Sequence, residues 1–209
     1  MLEQQLASAT EDAHFHAAWR NAVISFDLIS SPHQTDCREG CSLCCWLRVD
    51  TWAHEVFFLA QALEPLPQDQ KDALLQRLQT HATTVTQLTV FEHATRNIAC
   101  PLLVDGRCSA YAARPQACRR HHSTDLNACI HTFENPTDLQ APAGHDAAIF
   151  GLCTERMTET HDIYCKLGYD PTIYELGSAL WEALTDPACW QRWRAREKAF
   201  LRASHTPAH

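Results

Sequence analysis

The chain has 209 residues, of which 45% are hydrophobic and 20% are charged, a composition typical of a globular protein that can bury a core without cross-links. Its 17 basic and 25 acidic residues give a net charge of −8, which argues against a surface built to neutralise nucleic-acid phosphates. The 11 cysteines are far above background, and an odd number of them cannot all pair within one chain.

Apolar residues recur at helical spacing from Leu2 to Ile29 and predict one amphipathic helix. Asp50 or Thr51 is expected to cap a second helix, which ends at Pro65 and Pro67 because proline lacks an amide donor and clashes with the preceding turn. Further helices are predicted over residues 68–96, 123–133, 143–167, 172–184 and 187–202.

One short β-hairpin is predicted between Cys100 and Tyr111, because Asp105-Gly106 is a two-residue turn signal. The predicted fold is therefore mainly α: a helical single domain with an irregular cysteine-rich layer and one short β-hairpin. Its expected parts are an N-terminal helix over 1–36, a cysteine-cluster core over 37–135 and C-terminal helices over 136–209.

The sequence has no apolar run of signal-peptide length near residue 1 and no stretch of 18 uncharged apolar residues. We therefore expect a cytoplasmic protein that does not enter a membrane. In a reducing compartment, clustered cysteines are more often metal ligands or redox groups than structural disulfides.

Eight of the cysteines fall in the predicted cysteine-cluster core. The first four form the segment Cys37-Arg-Glu-Gly-Cys41-Ser-Leu-Cys44-Cys45. Thiolates at such spacings can converge on one metal because the turns between them fold back, and Gly40 suits such a loop because glycine tolerates a positive φ. The other four are Cys100, Cys108, Cys118 and Cys129.

The remaining three cysteines, Cys153, Cys165 and Cys189, lie among apolar residues in helical patterns and are expected to be buried and inert. The eight clustered thiolates would add up to eight negative charges to a chain already at −8, so cations must neutralise them for the site to fold. Sulfur ligands suit zinc or an iron–sulfur cluster and disfavour magnesium, calcium and manganese.

The first cysteine segment, together with Cys100-Pro-Leu-Leu, Cys108-Ser-Ala-Tyr111 and Arg114-Pro115-Gln-Ala-Cys118-Arg119, resembles the YkgJ family of cysteine-cluster proteins. That family carries a CxxCxxCC motif and is regarded as chelating zinc or iron; here three residues, instead of two, separate the first two cysteines. The resemblance implies metal binding by Cys37, Cys41, Cys44, Cys45, Cys100, Cys108 and Cys118. Flagellin lysine N-methylases carry a similar cysteine motif, which would imply methyl transfer.

Cys129 is the candidate eighth ligand, which would allow two four-sulfur centres or one polynuclear cluster. Arg114 and Arg119 are expected to donate hydrogen bonds to cluster sulfurs or to carbonyl groups. His121 and His122 are expected to lie beside the site, and an imidazole could also replace one sulfur on zinc or make one iron chemically distinct.

These patterns predict a protein that holds zinc or an iron–sulfur centre in a structural, metal-handling or redox role. The alternative is a metal-dependent enzyme in which the cluster keeps an open coordination position, with methyl transfer as one reaction. The Cys37-x3-Cys41-x2-Cys44 spacing is also that of radical S-adenosylmethionine enzymes, but the expected series of strands is missing. A thiol redox sensor would instead expose the pair Cys44-Cys45 without metal. The expected partner is a metal ion, with neither nucleic acid nor membrane.

His54-Glu55 begins like a zincin helix, but Phe58 stands where a second histidine is needed. A surface histidine beside a glutamate in the first turn of a helix is therefore expected. The six glycines form neither a G-x-G-x-x-G motif nor a Walker loop, so a nucleotide cofactor bound in a standard way is not indicated.

Overall fold

The computed structural model describes residues 1–30, 35–38, 40–141 and 144–205. Within them the chain is mainly helical, as predicted, and no helix is both long and apolar enough to cross a membrane. The helices are α1 (Leu2–Ala7), α2 (Asp12–Ser30), α3 (Ala53–Leu63), α4 (Gln68–Val85), α5 (Val90–Ala94), α6 (Gln116–Arg120), α7 (Leu126–Glu134), α8 (Ala147–Lys166), α9 (Leu176–Thr185) and α10 (Ala188–Arg194). The strands are β1 (Asp50–Thr51), β2 (Leu103–Val104), β3 (Arg107–Cys108) and β4 (Tyr174–Glu175).

The single N-terminal helix predicted over Leu2 to Ile29 is wrong, because the chain forms two helices that pack on each other. The break follows Ser8, where the hydroxyl (2.9 Å) and the amide (3.1 Å) both donate to the Gln4 carbonyl. A serine hydroxyl competes for backbone acceptors in this way and favours helix ends.

The predicted hairpin is confirmed. In β2 and β3, Leu103 pairs with Cys108 and Val104 pairs with Arg107. Asp105 (φ 49°) and Gly106 (φ 75°) both have positive φ angles, as a tight two-residue turn between right-twisted strands requires.

A second strand pair, which the sequence did not indicate, joins β1 to β4 with Asp50 opposite Glu175. Asp50 and Thr51 therefore do not cap α3, as expected, but lie in a strand. The cap comes from inside the helix instead, where the Glu55 carboxylate accepts the Trp52 amide at 3.2 Å.

Two other long predicted helices end early. The helix expected over 68–96 stops at Val85, and Thr89 then caps α5 by accepting the Glu92 amide at 3.2 Å while the Glu92 carboxylate accepts the Thr89 amide at 2.9 Å. The helix expected over 187–202 stops at Arg194, and a left-handed residue, Arg196 (φ 68°), follows.

The segment after α10 is held by a buried carboxylate instead of by helical hydrogen bonds. Glu182 on α9 accepts the backbone amides of Leu201 (2.7 Å), Arg202 (2.7 Å) and Ala203 (2.9 Å). Because a charged acceptor satisfies three amides at once, this irregular segment can pack into the core without unsatisfied backbone groups.

The main hydrophobic core lies where α3, α4 and α9 meet, with Leu59, Leu78 and Leu180 fully buried. A smaller cluster between α2 and α8 contains Phe26 and Met157. Leu102 and Leu176 of the main core and Met157 of the smaller cluster line the same cavity as the cysteine-rich segments.

A buried carboxylate, that of Glu175, joins three elements at the edge of the main core. One oxygen lies 2.9 Å from Nε2 of His81 on α4, and the carboxylate accepts the amides of Gly177 (3.0 Å) and Ser178 (2.7 Å) at the start of α9. Burial raises the pKa of Glu175, but the hydrogen bond and positive charge of His81 and the two amides outweigh this and lower the pKa to about 2.

Gly177 allows this arrangement because the His81 ring lies directly against it. A methyl group at position 177 would lie 2.6 Å from Nε2 of His81, closer than real contacts allow. We expect Gly177→Ala to lower the free energy of unfolding by at least 1 kcal/mol, the usual cost of overpacking. The matched control is Gly151→Ala in α8, where nothing lies within 4 Å and the gain in helix propensity should stabilise the protein by about 0.5–1 kcal/mol. Equal effects in urea unfolding would contradict the role given to Gly177.

The Glu175 carboxylate should make stability depend on pH. A carboxyl whose pKa is lowered on folding stabilises the fold above its ordinary value of 4.5, and this contribution is lost as the pH falls toward 2. We expect Glu175→Gln to cost on the order of 3 kcal/mol at pH 7, and the difference from the wild type to shrink between pH 5 and pH 3. Glu159→Gln, which removes an exposed ion pair with Arg156, should cost less than about 1 kcal/mol. A difference that stays constant down to pH 3 in urea unfolding would refute this role.

Candidate metal centre

The first cysteine segment forms an irregular loop that ends in a 3-10 turn over Leu43–Trp46. The amide of Cys41 donates to the Arg38 carbonyl (3.0 Å), and the amide of Cys45 donates to the Ser42 carbonyl (3.0 Å). Gly40 has φ +90°, so the positive φ predicted for this position is confirmed. These tight turns bring closely spaced cysteines onto one side of the loop.

Backbone hydrogen bonds place the second cysteine segment beside the first. The Cys100 amide donates to the Cys45 carbonyl (2.8 Å), and the Ile98 amide donates to the Trp46 carbonyl (3.2 Å). The hairpin β2–β3 then returns Cys108 to the same region. Two segments more than 50 positions apart in sequence therefore form one layer.

Glu55 on α3 holds α6, and with it Cys118, against this layer. Its carboxylate accepts the Gln116 amide (2.7 Å) and the Thr51 hydroxyl (2.8 Å). Glu55 is buried, and this burial raises its pKa. The carboxylate thus positions a cysteine on another helix by satisfying the first free amide of that helix.

The expectation of a surface histidine at His54 is wrong. Its side chain is buried, and its ring stacks on that of Tyr164 with centroids 3.8 Å apart. Burial lowers the pKa of His54 well below its usual value. Helical periodicity alone could not show this, because the surface that covers His54 comes from α2 and α8.

Cys37 is anchored to the segment that leads into α7. Its sulfur accepts the Ser123 amide at 3.2 Å and lies 3.8 Å from the His121 carbonyl oxygen. Next to it, the Asp36 amide donates to the Ser123 carbonyl (2.8 Å). This attachment brings Cys37 near Cys129 on α7.

The eight predicted cysteines lie close enough for the charge of one thiol to act on the others. Cys44 is central to this cluster. Burial is the main cause of the raised pKa of five neighbouring cysteines, and the charge of Cys44 raises these pKa values further. The five are Cys37, Cys100, Cys108, Cys118 and Cys129. The pKa of Cys44 itself is raised most by its hydrogen bond with the Cys45 side chain, and Cys41 acts on Cys37 and Cys129. The six thiols with a raised pKa are therefore held as neutral groups unless cations stabilise their charge.

The other three cysteines have different neighbours. Cys153 and Cys189 are buried, as expected, and their charges interact with Arg120 and with Glu182, respectively. Cys165 is only partly buried, and its sulfur lies 3.3 Å from Nε2 of His161. The prediction of a buried, inert cysteine is therefore wrong for Cys165, which lies on the partly exposed side of α8.

The cysteine layer opens into a cavity of about 440 Å³, here named the cysteine cavity. Six of the eight cysteines line it: Cys41, Cys44, Cys45, Cys100, Cys108 and Cys118. A neighbouring cavity of about 220 Å³ shares Cys44 with it and is lined by Cys129. Both cavities are lined by Cys44, so this residue lies between the other cysteines of the first cavity and Cys129 of the second.

Of the basic side chains expected beside the site, Arg114 and His121 line the cysteine cavity. Arg114 stacks over Tyr111 at 3.9 Å, and its charge partly offsets the rise in pKa that burial causes in Cys118. Burial, and then the charge of His145, lower the pKa of His121 to about 4, so its imidazole is neutral at pH 7.

The other two basic residues, Arg119 and His122, are not among the residues that line the cysteine cavity. Arg119 donates to both Asp27 oxygens (2.7 and 2.6 Å) and to the Arg114 carbonyl (2.8 Å), so it ties α6 to α2. His122 has a buried Nδ1 without a hydrogen-bond partner among the described residues, and burial lowers its pKa. Arg119 thus donates hydrogen bonds to carbonyl groups, which is one of the two arrangements expected for it. It also supports the loop that carries Arg114.

The sulfurs are spread more widely than around a single tetrahedral ion. In a four-sulfur zinc site with bonds of 2.3 Å, the sulfurs lie about 3.8 Å apart. Among the described residues, the groups of three donor atoms that lie within 4.8 Å of one another are His81, His93 and Glu175, and Glu182, Asp186 and Cys189. Among the described residues the cysteine layer contributes no such group, so its sulfurs do not lie at the spacing of a closed four-sulfur site.

The two compact donor groups were not predicted, because their members are scattered through the sequence with no motif. Their geometry is explained by structural roles. Glu175 caps α9, and Nδ1 of His93 lies 3.4 Å from the Arg48 guanidinium, whose positive charge opposes a bound cation. Glu182 is occupied by three backbone amides.

The donor chemistry of the cysteine layer agrees with a comparison to known proteins. The CxxCxxCC family, described as a putative zinc- or iron-chelating domain, matches residues 36–144, slightly more than half of the chain. The chain belongs to this family. No curated protein and no solved structure matches the chain significantly.

Membership of the CxxCxxCC family supports the binding of zinc or iron, and the matched range contains all eight clustered cysteines. It excludes Cys153, Cys165 and Cys189, which the structure also separates from the cluster. Clustered thiols are the soft donors that both metals accept. The residues present therefore fit the group that the family is described as chelating.

Metal removal should loosen the cysteine layer while the helical core stays folded. Bound metal stabilises thiolates that burial otherwise disfavours, so we expect a chelator to increase hydrogen exchange across the two cysteine segments, residues 40–47 and 98–129. The amides of α4 and α9 should keep their protection, since they pack on each other through the main core. Unchanged exchange across residues 40–47 and 98–129 in the metal-free protein would contradict this expectation.

Proposed function

We propose that the protein binds zinc or iron through the eight clustered cysteines, with Cys44 shared between two groups of ligands. The first group contains Cys45, Cys100, Cys108 and Cys118, and the second contains Cys37, Cys41 and Cys129. The observation that carries this proposal is that Cys44 lines both adjoining cavities, one together with the first group and Cys41, the other together with Cys129. A thiolate can bridge two metal ions, so a two-metal or cluster centre accounts for a number of sulfurs that one tetrahedral ion does not need.

Arg114 would support this centre electrostatically. Its Nε is buried and has no hydrogen-bond partner among the described residues, while its charge acts on Cys44, Cys108 and Cys118. A guanidinium next to thiolates stabilises their charge and can donate hydrogen bonds to sulfur, which tunes the affinity or the redox potential of the bound metal. His121 is the candidate non-sulfur ligand, since a neutral imidazole is the form that binds metals.

A metal-dependent enzyme is the second candidate, and the cysteine cavity favours it. A purely structural zinc site is closed by its protein ligands, whereas a catalytic site keeps a position open to a substrate. Six of the proposed ligands line a cavity of about 440 Å³, which is within the size range of small-molecule sites. The metal would act there as a Lewis acid or a redox centre on a bound molecule, with methyl transfer as one reaction to be tested.

Anaerobic purification followed by metal analysis and an absorption spectrum tests the proposal. A colourless protein with about two zinc ions per chain would support zinc and exclude the iron–sulfur form. A brown protein with iron and acid-labile sulfide would support the iron–sulfur form. A protein that retains neither zinc nor iron after anaerobic purification would refute metal binding by the cluster.

Single replacements test the ligand set. We expect Cys44→Ser to remove most of the bound metal, because both ligand groups lose a sulfur, and Cys118→Ser to lower the content by about half. Cys165→Ser is the matched control, since this thiol is partly exposed and lies outside the cluster, and it should retain full metal content. Metal content should be measured by mass spectrometry on folded protein, and full retention in both Cys44→Ser and Cys118→Ser would defeat the assignment.

A further inference from the structure

The wall of the cysteine cavity that faces α8 carries an unpaired positive charge. Arg120, at the end of α6, is half-buried, and its guanidinium stacks over the ring of Phe150 at 4.6 Å. It donates one hydrogen bond, to the Thr154 hydroxyl at 3.3 Å. Among the described residues it makes no ion pair with a carboxylate, so several of its five N–H donors remain available.

Among the described residues, none of the other charged groups that line the cavity pairs with Arg120. Among the described lining residues, the one carboxylate is Asp50, and it pairs with Arg48 at 2.8 Å. Arg114 acts on the cluster thiols, whereas the thiol whose charge acts on Arg120 is Cys153, outside the cluster. Arg107 lies exposed on the hairpin and adds positive charge to the same cavity. Apart from the cysteines, the ionic side chains that line the cavity are therefore mainly cationic, in a protein whose net charge is −8.

The rest of the cavity wall is largely apolar. Leu102 and Leu176 come from the side of the main core, Met157 comes from α8, and Trp52 lies before α3. An apolar cavity with a few polar groups at fixed positions is typical of sites for small organic molecules. A half-buried guanidinium at its edge orients an acidic group by two parallel hydrogen bonds.

We propose that the cysteine cavity binds a small organic acid, whose carboxylate pairs with Arg120 and whose apolar part packs between Trp52, Met157 and Leu176. This places the body of the acid next to the sulfurs that line the opposite wall. The proposal deepens the proposed function, and its location beside a metal rests on that function, but binding of the acid to Arg120 does not require the metal. A monocarboxylate fits better than inorganic phosphate, because the phosphate dianion leaves the apolar wall uncovered.

Isothermal titration of the purified protein with octanoate tests the proposal, with the metal content of the same sample measured in parallel. Octanoate should bind at least tenfold more tightly than octanamide, which lacks the charge, and than acetate or inorganic phosphate, which lack the apolar chain. Arg120→Met should weaken octanoate binding at least tenfold, and Arg120→Lys should restore part of it. Arg156→Met is the matched control, since Arg156 is exposed on α8 and pairs with Glu159.

A second variant guards against loss of folding in Arg120→Met. Thr158 is exposed on α8 and lines the cavity, so Thr158→Trp should fill the cavity without disturbing the core and should weaken octanoate binding to a similar extent. Absence of octanoate binding at millimolar concentration, equal binding of octanoate and octanamide, or full binding by folded Arg120→Met would each overturn the proposal. If anaerobically purified protein binds octanoate but contains neither zinc nor iron, the acid site is upheld and the metal centre is refuted. If the protein contains metal but does not bind octanoate, the metal centre is upheld and the acid site is refuted.

Discussion

The gathering of eight cysteines in one irregular layer is the constraint on which the rest of the structure depends. Burial and mutual repulsion raise the pKa of Cys100 to about 12 and that of Cys118 well above the usual range. Such groups are neutral without metal, and a bound cation must supply the energy that releases their protons. Residues of both apolar clusters line the cavity beside these thiols and lower its dielectric constant, which strengthens the interaction of thiolates with any bound cation.

Three buried glutamates keep this irregular protein in one arrangement. Each carboxylate accepts hydrogen bonds from backbone amides at the start of a helix or in another segment. Glu55 accepts the amides of Trp52 and Gln116, and Glu175 accepts those of Gly177 and Ser178. Glu182 accepts the amides of residues 201–203. A charged acceptor satisfies amides that have no partner in a regular helix or sheet. Rigid support of this kind suits a metal centre, because its ligands must return to the same positions each time the metal binds.

The helical content and the hairpin could be predicted because they depend on local signals. Asp105-Gly106 specifies its turn wherever the rest of the chain lies, and the positive φ of Gly40 follows from the nature of glycine. The breaks at Ser8 and Thr89 were missed, because capping hydrogen bonds compete with helix continuation by only about 1 kcal/mol. The pairing of β1 with β4 joins residues more than 120 positions apart, and two-residue strands leave no periodic pattern.

The sequence by itself determined the chemistry of this protein: which cysteines are clustered, that sulfur donors suit zinc or iron, and that an acidic chain needs cations to gather thiolates. These conclusions depend on residue type and spacing, which do not change on folding. Only the tertiary structure decided that Cys44 lines two adjoining cavities, that His54 is buried, and that Arg120 faces a cavity without an acidic partner in the part of the chain that the structure describes. Burial and pairing are properties of contacts between distant segments, and such contacts are set by packing and not by any local pattern.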